Sequence, residues 1–409
     1  MYTRVRKIIL DYPSQFWLMV VGLIISSAGA SMIWPFLMIY VSEELSLSLS
    51  TVSSLITINA IMGLFASFIA GTVADKVGRK LVMVVSLIAN GFGYLLMSQA
   101  HSYLGFALIM VVMGISNPLY QVGSDAMLAD MIVPEMRTNA YAILRMANNA
   151  GIAIGPALGG FIATRSYTYA FLGAAIGMLS YGLLLFFRGH ETLKIAGISE
   201  IENGNTLLAG YGQVFRDHRY VIFTLLVGLG LIAPSMLWTL LAVYTKQNFG
   251  LRESLYGWLP TTNALMCVLV QFPVTQISRR FRPLPVIAIG MLIYALGVGS
   301  VALMTHFWGF WTSMVLMTFG ELTLIPTVSK YLADLAPAHM RGRYMSFYWF
   351  GWGIARAAAP LIGGYLNDNL SPRSIWIGGL TIGLVSTFGL ALFSRLRSNL
   401  KTSHSLIDS

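Results

Sequence analysis

The chain has 409 residues, of which 56% are hydrophobic and only 10% charged, and its mean hydropathy is +0.71. A soluble domain carries about 25% charged residues, so a soluble enzyme, a secreted disulfide scaffold and a disordered regulator are excluded and a polytopic membrane protein is left. The formal net charge of +10 calls for no nucleic acid, because the basic residues lie beside apolar segments, where topology and anionic lipid account for them.

The N-terminal MYTRVRKIILDYPSQF lacks a short apolar core with a small-residue cleavage site and reads as a cytoplasmic lead-in. Apolar stretches of helix length follow, not the ten-residue alternation of an outer-membrane barrel. They fall near 16–41, 50–74, 81–99, 103–129, 138–163, 167–187, 220–245, 254–277, 285–304, 308–333, 343–367 and 374–394. With both termini inside, nineteen of the 26 Lys and Arg are cytoplasmic, four are outside and three lie within spans. The positive-inside rule therefore puts both ends in the cytoplasm and makes the span number even. Between spans 6 and 7 a polar stretch, Arg188 to Arg219, is too short for a domain. It divides the chain into an N-terminal six-helix bundle (1–187), a cytoplasmic linker (188–219) and a C-terminal six-helix bundle (220–409). The single cysteine, Cys267, allows no internal disulfide.

The two halves repeat each other. Adding 204 carries Ser31-Met32 onto Ser235-Met236, Trp34 onto Trp238, Tyr40 onto Tyr244 and Asn59-Ala60 onto Asn263-Ala264. It also carries Leu128-Ala129-Asp130 onto Leu332-Ala333-Asp334, Met136-Arg137 onto Met340-Arg341, Pro156 onto Pro360 and Gly159-Gly160 onto Gly363-Gly364. Six spans per half make the repeats parallel, with a ligand site expected at the midplane between them.

After span 2 the chain reads Gly71-Thr-Val-Ala-Asp75-Lys76-Val-Gly78-Arg79-Lys80. Gly71 offers a close helix approach and Gly78 a positive φ for a tight turn. Asp75 at a helix C-terminus and Arg79-Lys80 at a helix N-terminus oppose the helix dipoles, so tertiary partners must hold them. This loop resembles motif A of the major facilitator superfamily. The resemblance implies a cytoplasmic gate built from the Asp, the Arg and an acidic residue at the end of helix 4, here Asp130. The equivalent loop of the second half, Ser278-Arg279-Arg280-Phe281-Arg282, keeps the charge but not the Asp and Gly, which implies a one-sided latch. Span 5 carries Gly151-Ile-Ala-Ile-Gly155-Pro156-Ala-Leu-Gly159-Gly160, which is similar to motif C of the twelve-helix drug:proton antiporters. Two departures stand out: Ile143 replaces the motif's leading glycine, and Met110 replaces the helix-4 arginine tied to proton coupling.

Another group must therefore carry the proton. Charges at membrane depth are costly and mark function by default; they are Asp125, Glu321, Lys330, Arg145 and Arg356. Counting a rise of about 1.5 Å per residue, Glu321 and Arg356 share one depth and Asp125 and Arg145 another, so two ion pairs are expected. Glu321, in Gly320-Glu-Leu-Thr-Leu-Ile-Pro326, is the expected coupling carboxylate, with Asp125 second. Trp34, Trp238, Asn59, Asn263, Tyr120 and Trp349 are the expected cavity lining, and aromatics with 22 methionines suit a large apolar or cationic ligand.

The expected activity is proton-coupled efflux of lipophilic or amphipathic compounds by alternating access, from a monomer in a cell membrane of the bacterial inner-membrane type. Its partners are a small-molecule substrate, protons and the bilayer. Two alternatives stay open: a transporter of a specific metabolite such as a sugar or lipid, and a non-transporting sensor on the same fold. Sugar-porter and peptide-porter signatures are not visible. With no nucleotide-binding loop and no metal-ligand cluster in the sequence, neither enzymatic activity nor a cofactor is expected.

Overall fold

The computed structural model describes residues 11–193, 211–337 and 340–407. The lead-in residues 1–10 and most of the linker, 194–210, lie outside the described residues. Those described are helical or in short connections. The helices are α1 (Ser14–Ile33), α2 (Leu37–Leu45), α3 (Leu49–Val77), α4 (Arg79–Met97), α5 (Tyr103–Met131), α6 (Pro134–Ala163) and α7 (Tyr167–Arg188). They continue with α8 (Tyr211–Arg216), α9 (His218–Gly230), α10 (Ile232–Phe249), α11 (Glu253–Tyr256), α12 (Trp258–Leu269) and α13 (Gln271–Ser278). The last four are α14 (Pro283–Ser300), α15 (Phe307–Leu335), α16 (Arg341–Asn369) and α17 (Ser374–Ile407).

Among the described residues, eight helical stretches are long and apolar enough to cross a membrane: Ser14–Leu45, Leu49–Val77, Arg79–Met97, Tyr103–Met131, Tyr167–Arg188, His218–Phe249, Pro283–Leu303 and Ser374–Leu396. The other expected spans coincide with α6, the pair α12–α13, α15 and α16. Three of these carry Arg145, Glu321 with Lys330, and Arg356, so charge dilutes their apolar character. Large apolar side chains such as Phe65, Phe68, Phe161, Phe187, Phe272 and Phe388 are exposed on these helices. In water such a surface would drive aggregation; hydrocarbon solvates it.

Helix starts follow local chemistry. The side chains of Ser102, Ser166 and Asp217 accept the free amides of Gly105, Thr168 and Tyr220 at the first turns of α5, α7 and α9. Pro134 and Pro283 stand where a missing N–H costs nothing. Three expected spans are broken, each beside a proline whose ring collides with the carbonyl four residues back. Pro35 lies in the 3-10 turn Trp34–Phe36 between α1 and α2, Pro234 follows the junction of α9 and α10, and Pro273 follows the junction of α12 and α13.

Contacts divide the chain into two compact units. One comprises Met1–Leu47, Ser54–Ile198 and Thr245–Ala264; the other comprises Ser48–Ser53, Ser199–Tyr244 and Leu265–Ser409. The first turn of α3 thus packs with the second unit, and the junction around α11 packs with the first. Within the first unit α1 lies on α6 and α7, and α4 lies on α5 and α7. Within the second, α9 lies on α16 and α17, and α14 lies on α15 and α17. This is one packing scheme used twice. The 204-residue repeat is visible down to side chains: Tyr40 meets Phe106 edge-on at 6.1 Å, and Tyr244 meets Phe310 edge-on at 6.3 Å.

Candidate functional site

At the α3–α4 junction, Gly78 has φ 106°, the left-handed region where a side chain would be strained. The turn brings Arg79 back over the end of α3. Its Nη2 lies 2.9 Å from the Asp75 carboxylate, and its Nη1 donates to the Ala74 carbonyl at 3.2 Å. Its Nε lies 3.2 Å from the Asp130 carboxylate, close enough for an ion pair though not aligned as a hydrogen bond. The Arg79 side chain is 12% exposed against 66% for Asp75, so the guanidinium is the buried centre of the group. Lys80 lies over the Phe186 ring at 5.6 Å. Gly71 corrects the expectation of a close helix approach: a Cβ there would meet nothing within 4 Å.

The residues just after α7 complete this site, although the sequence reads as plain linker there. Gln15, at the start of α1, donates to the His190 carbonyl and accepts from the His190 amide. Glu191 accepts from the backbone amides of Arg79 and Lys80, both at 3.0 Å. It thereby caps α4 with a negative charge where the helix dipole is positive. The Thr192 hydroxyl donates to Asp130 at 3.1 Å. The strap so formed encloses, with Arg79, Ala129, Asp130 and Arg137, a cavity of about 360 Å³. The signal in the sequence is a lone Glu placed within reach of a helix that has no capping side chain of its own. Replacing it, Glu191→Ala, should cost about 1 kcal/mol of cap energy. Hydrogen exchange of the Arg79–Val82 amides should rise several-fold, while exchange in α14 stays unchanged.

Among the described residues, neither Asp125 with Arg145 nor Glu321 with Arg356 forms the expected ion pair. Asp125 is met by the Gln121 amide at 3.2 Å, one turn back on α5, and Arg145 carries an exposed side chain. Around the Tyr294 hydroxyl of α14 gather Glu321 of α15, Trp238 of α10, Cys267 of α12 and Tyr348 of α16; Arg356 is exposed and not among them. Depth along a helix axis fixes height and leaves azimuth open, so charges at one depth on neighbouring helices need not meet.

Two features position Glu321. A Cβ on the preceding Gly320 would lie 2.4 Å from the Tyr294 amide nitrogen, so α14 and α15 touch backbone to backbone there. On the other side, Gln271 opens α13 just past the break in span 8 and donates to the Leu322 carbonyl at 3.1 Å. A half-buried carboxylate thus stands between aromatic groups and a broken helix. Trp349 is 54% exposed and meets Trp352 at 5.3 Å. Trp34 and Tyr120 are half-buried, and Tyr120 packs on Tyr181. Asn59 and Asn263 are buried. The Asn59 amide donates to the Met110 carbonyl at 3.1 Å, which ties α3 to α5.

The span-5 motif lies at the opposite end of the helices from Gly78. A Cβ on Gly151 or Gly155 would meet the backbone around Ala28 of α1, and one on Gly159 the Met32 carbonyl oxygen at 2.0 Å. On Gly160 it would meet the Glu253 carbonyl oxygen at 2.3 Å, and the Pro156 carbonyl faces Gly257. The repeat-equivalent Gly364 faces the Ser50 Cα at 2.6 Å. Nearby, Asp368 accepts from the Ser50 amide at 2.9 Å and from its hydroxyl at 2.5 Å. Both double-glycine positions therefore seat the end of one long helix against the start of another. At the first of them, Glu253 (4% exposed) accepts from the Lys246 ammonium and the Tyr167 hydroxyl, each at 2.7 Å.

The family model described as Major Facilitator Superfamily matches residues 19–246 and again 223–408. A Na(+), Li(+), K(+)/H(+) antiporter of Planococcus maritimus is 27% identical, over 93% of this chain and 94% of that protein. The multidrug resistance protein MdtH of Escherichia coli (strain SMS-3-5 / SECEC) is 24% identical, over 83% of each. Among solved structures, the nucleoside transporter NupG matches with a TM-score of 0.79 at 12% identity, over 93% of this chain and all of that one. A bacterial homologue of the lysosomal transporter Spinster in an inward-facing, unoccupied conformation matches with a TM-score of 0.75 at 13% identity, over 93% and 96%. At those identities the structures speak for the fold alone.

Proposed function

The chain belongs to the major facilitator superfamily, and on that premise we propose that it exports lipophilic or amphipathic compounds in exchange for protons, by alternating access. Membership makes it a multi-pass membrane transporter of small molecules or ions. The finer reading has twelve spans, both termini in the cytoplasm and a place in a bacterial inner membrane. In that orientation the Gly78 turn and the Glu191 strap form the cytoplasmic gate, and the Glu253 and Asp368 contacts lie on the outer side.

The observation that carries the reading is Glu321 beside Tyr294 and Trp238, next to the break in span 8. Broken helices flank ligand sites in transporters of this kind because freed backbone groups need polar company. A carboxylate among aromatic groups is a place where a proton and a cationic ligand can compete. Aromatic faces without fixed directional donors accept ligands of varied shape. Purified protein in weak buffer with a pH dye should therefore release protons on addition of a lipophilic cation such as tetraphenylphosphonium. Absence of release across a chemically diverse panel would rule out drug:proton exchange.

A second reading has one observation in its favour. The Planococcus maritimus relative is named for exchanging Na+, Li+ and K+ for protons and aligns with nearly the whole chain. The same dye assay separates the two, since release on adding alkali chlorides and none on adding lipophilic cations assigns metal cations as the substrate. Silence to both classes leaves transport of a specific metabolite.

A further inference from the structure

We propose that the contacts of Glu253 with Lys246 and Tyr167 form a latch which protonation of Glu253 opens. The inference rests on the reading of proton-coupled exchange and adds to it a pH-sensitive contact within the first unit.

Glu253, at the start of the short α11, is a carboxylate almost wholly removed from solvent, met by α6, by Tyr167 of α7 and by Lys246 near the end of α10. Three kinds of contact close it. The Lys246 ammonium and the Tyr167 hydroxyl both bond to the same carboxylate oxygen. The Gln247 amide reaches the Ser42 hydroxyl at 2.9 Å, and the Thr261 hydroxyl reaches the Ala153 carbonyl at 2.8 Å. The rings of Phe36 and Tyr256 meet edge-on at 5.7 Å. Apart from the ion pair, these contacts are neutral and shape-matched through Gly160 and Gly257. The ion pair is thus the element of this contact that pH can change.

The charged and titratable groups facing Glu253 are Lys246 on α10, Tyr167 on α7 and Glu43 on α2, with Arg252 next to it in the chain. Burial pushes the Glu253 carboxyl up, but the bonds from Lys246 and Tyr167 outweigh burial and hold it below its ordinary value. The sign follows. The closed contact prefers ionised Glu253, so it is strongest above the ordinary carboxylate pKa and weakens as pH falls. Protonation converts the carboxylate into a neutral acid and leaves Lys246 charged and half-buried beside it, with the exposed Glu43 as its remaining acidic neighbour. Separating the ends rehydrates that ammonium. Closing again requires Glu253 to give its proton back to water.

The test uses spin labels at Thr164→Cys and Asn248→Cys on a Cys267→Ser background, in lipid nanodiscs, with the inter-label distance followed from pH 8 to pH 3. The wild-type contact should shift from a short to a long distance on acidification. Glu253→Gln should show the long distance throughout, and Lys246→Met should move the midpoint up by about one pH unit or more. Glu321→Gln should keep the wild-type response. The inference is overturned if the wild-type distance ignores pH, if Glu253→Gln titrates like wild type, or if Glu321→Gln abolishes the response. Failure of proton release with drugs, with this distance change intact, would instead strike the transport reading alone.

Discussion

Glu321→Gln is expected to reduce pH-gradient-driven transport in proteoliposomes by roughly 100-fold or more, the scale set by losing a positioned proton-transfer group. Ligand binding should stay within a few-fold of wild type, because glutamine copies the shape and neutrality of the protonated acid. Exchange of labelled for unlabelled ligand across the membrane, which needs no net proton movement, should persist. That combination separates a coupling residue from a structural one. The backbone contact at Gly320 and the Gln271 bond to the Leu322 carbonyl do not involve the carboxylate, so the helix stays in place when the charge goes. Asp125→Asn should have a much smaller effect, since its carboxylate is engaged by the neighbouring Gln121 amide on its own helix. Equal losses in both variants, or undiminished gradient-driven transport in Glu321→Gln, would assign coupling elsewhere.

Much of this arrangement is legible in the sequence because it depends on one-dimensional signals. Apolar runs and basic loops mark helix positions, and a fixed offset of 204 reports the duplicated packing that Tyr40–Phe106 and Tyr244–Phe310 make visible. The Asp75–Arg79–Asp130 group was readable because charges set against helix dipoles demand partners. What escaped depends on direction around a helix or on a partner far along the chain. The azimuths of Glu321 and Arg356 are of the first kind. Glu191, which caps a helix 112 residues earlier, is of the second. Gly71 shows the limit of reading small residues alone: the motif places a glycine there, yet nothing packs against it. The breaks at Pro35, Pro234 and Pro273 were available in principle, since each proline disables the same kind of helical bond. Pro118, Pro156, Pro326 and Pro360 lie inside uninterrupted helices, so a proline alone does not say where a span breaks.

The glycines offer the sharpest structural test of that lesson. Gly159→Ala places a methyl group 2.0 Å from the Met32 carbonyl oxygen. The obstacle is backbone near the ends of both helices and cannot swing aside, so α1 and α6 must part there. The expected cost is about 3 kcal/mol or more, the upper range for overpacking, read as a lower melting temperature and a smaller folded fraction in detergent. Gly71→Ala should do the opposite and stabilise α3 by about 0.5–1 kcal/mol, because alanine loses less conformational freedom in a helix and finds open space there. The repeat sharpens the comparison further. Gly160 and Gly364 both face backbone, Glu253 and Ser50 respectively, and substitution to alanine at either should be comparably damaging. Gly363, the sequence counterpart of Gly159, faces side chains and no backbone, the tip of Leu240 at 2.3 Å and Ile375 at 3.5 Å, and a side-chain tip can shift where backbone cannot. Gly363→Ala should therefore be tolerated where Gly159→Ala is not. Equal damage at Gly159 and Gly363 would mean that the two halves are packed more alike than these contacts allow.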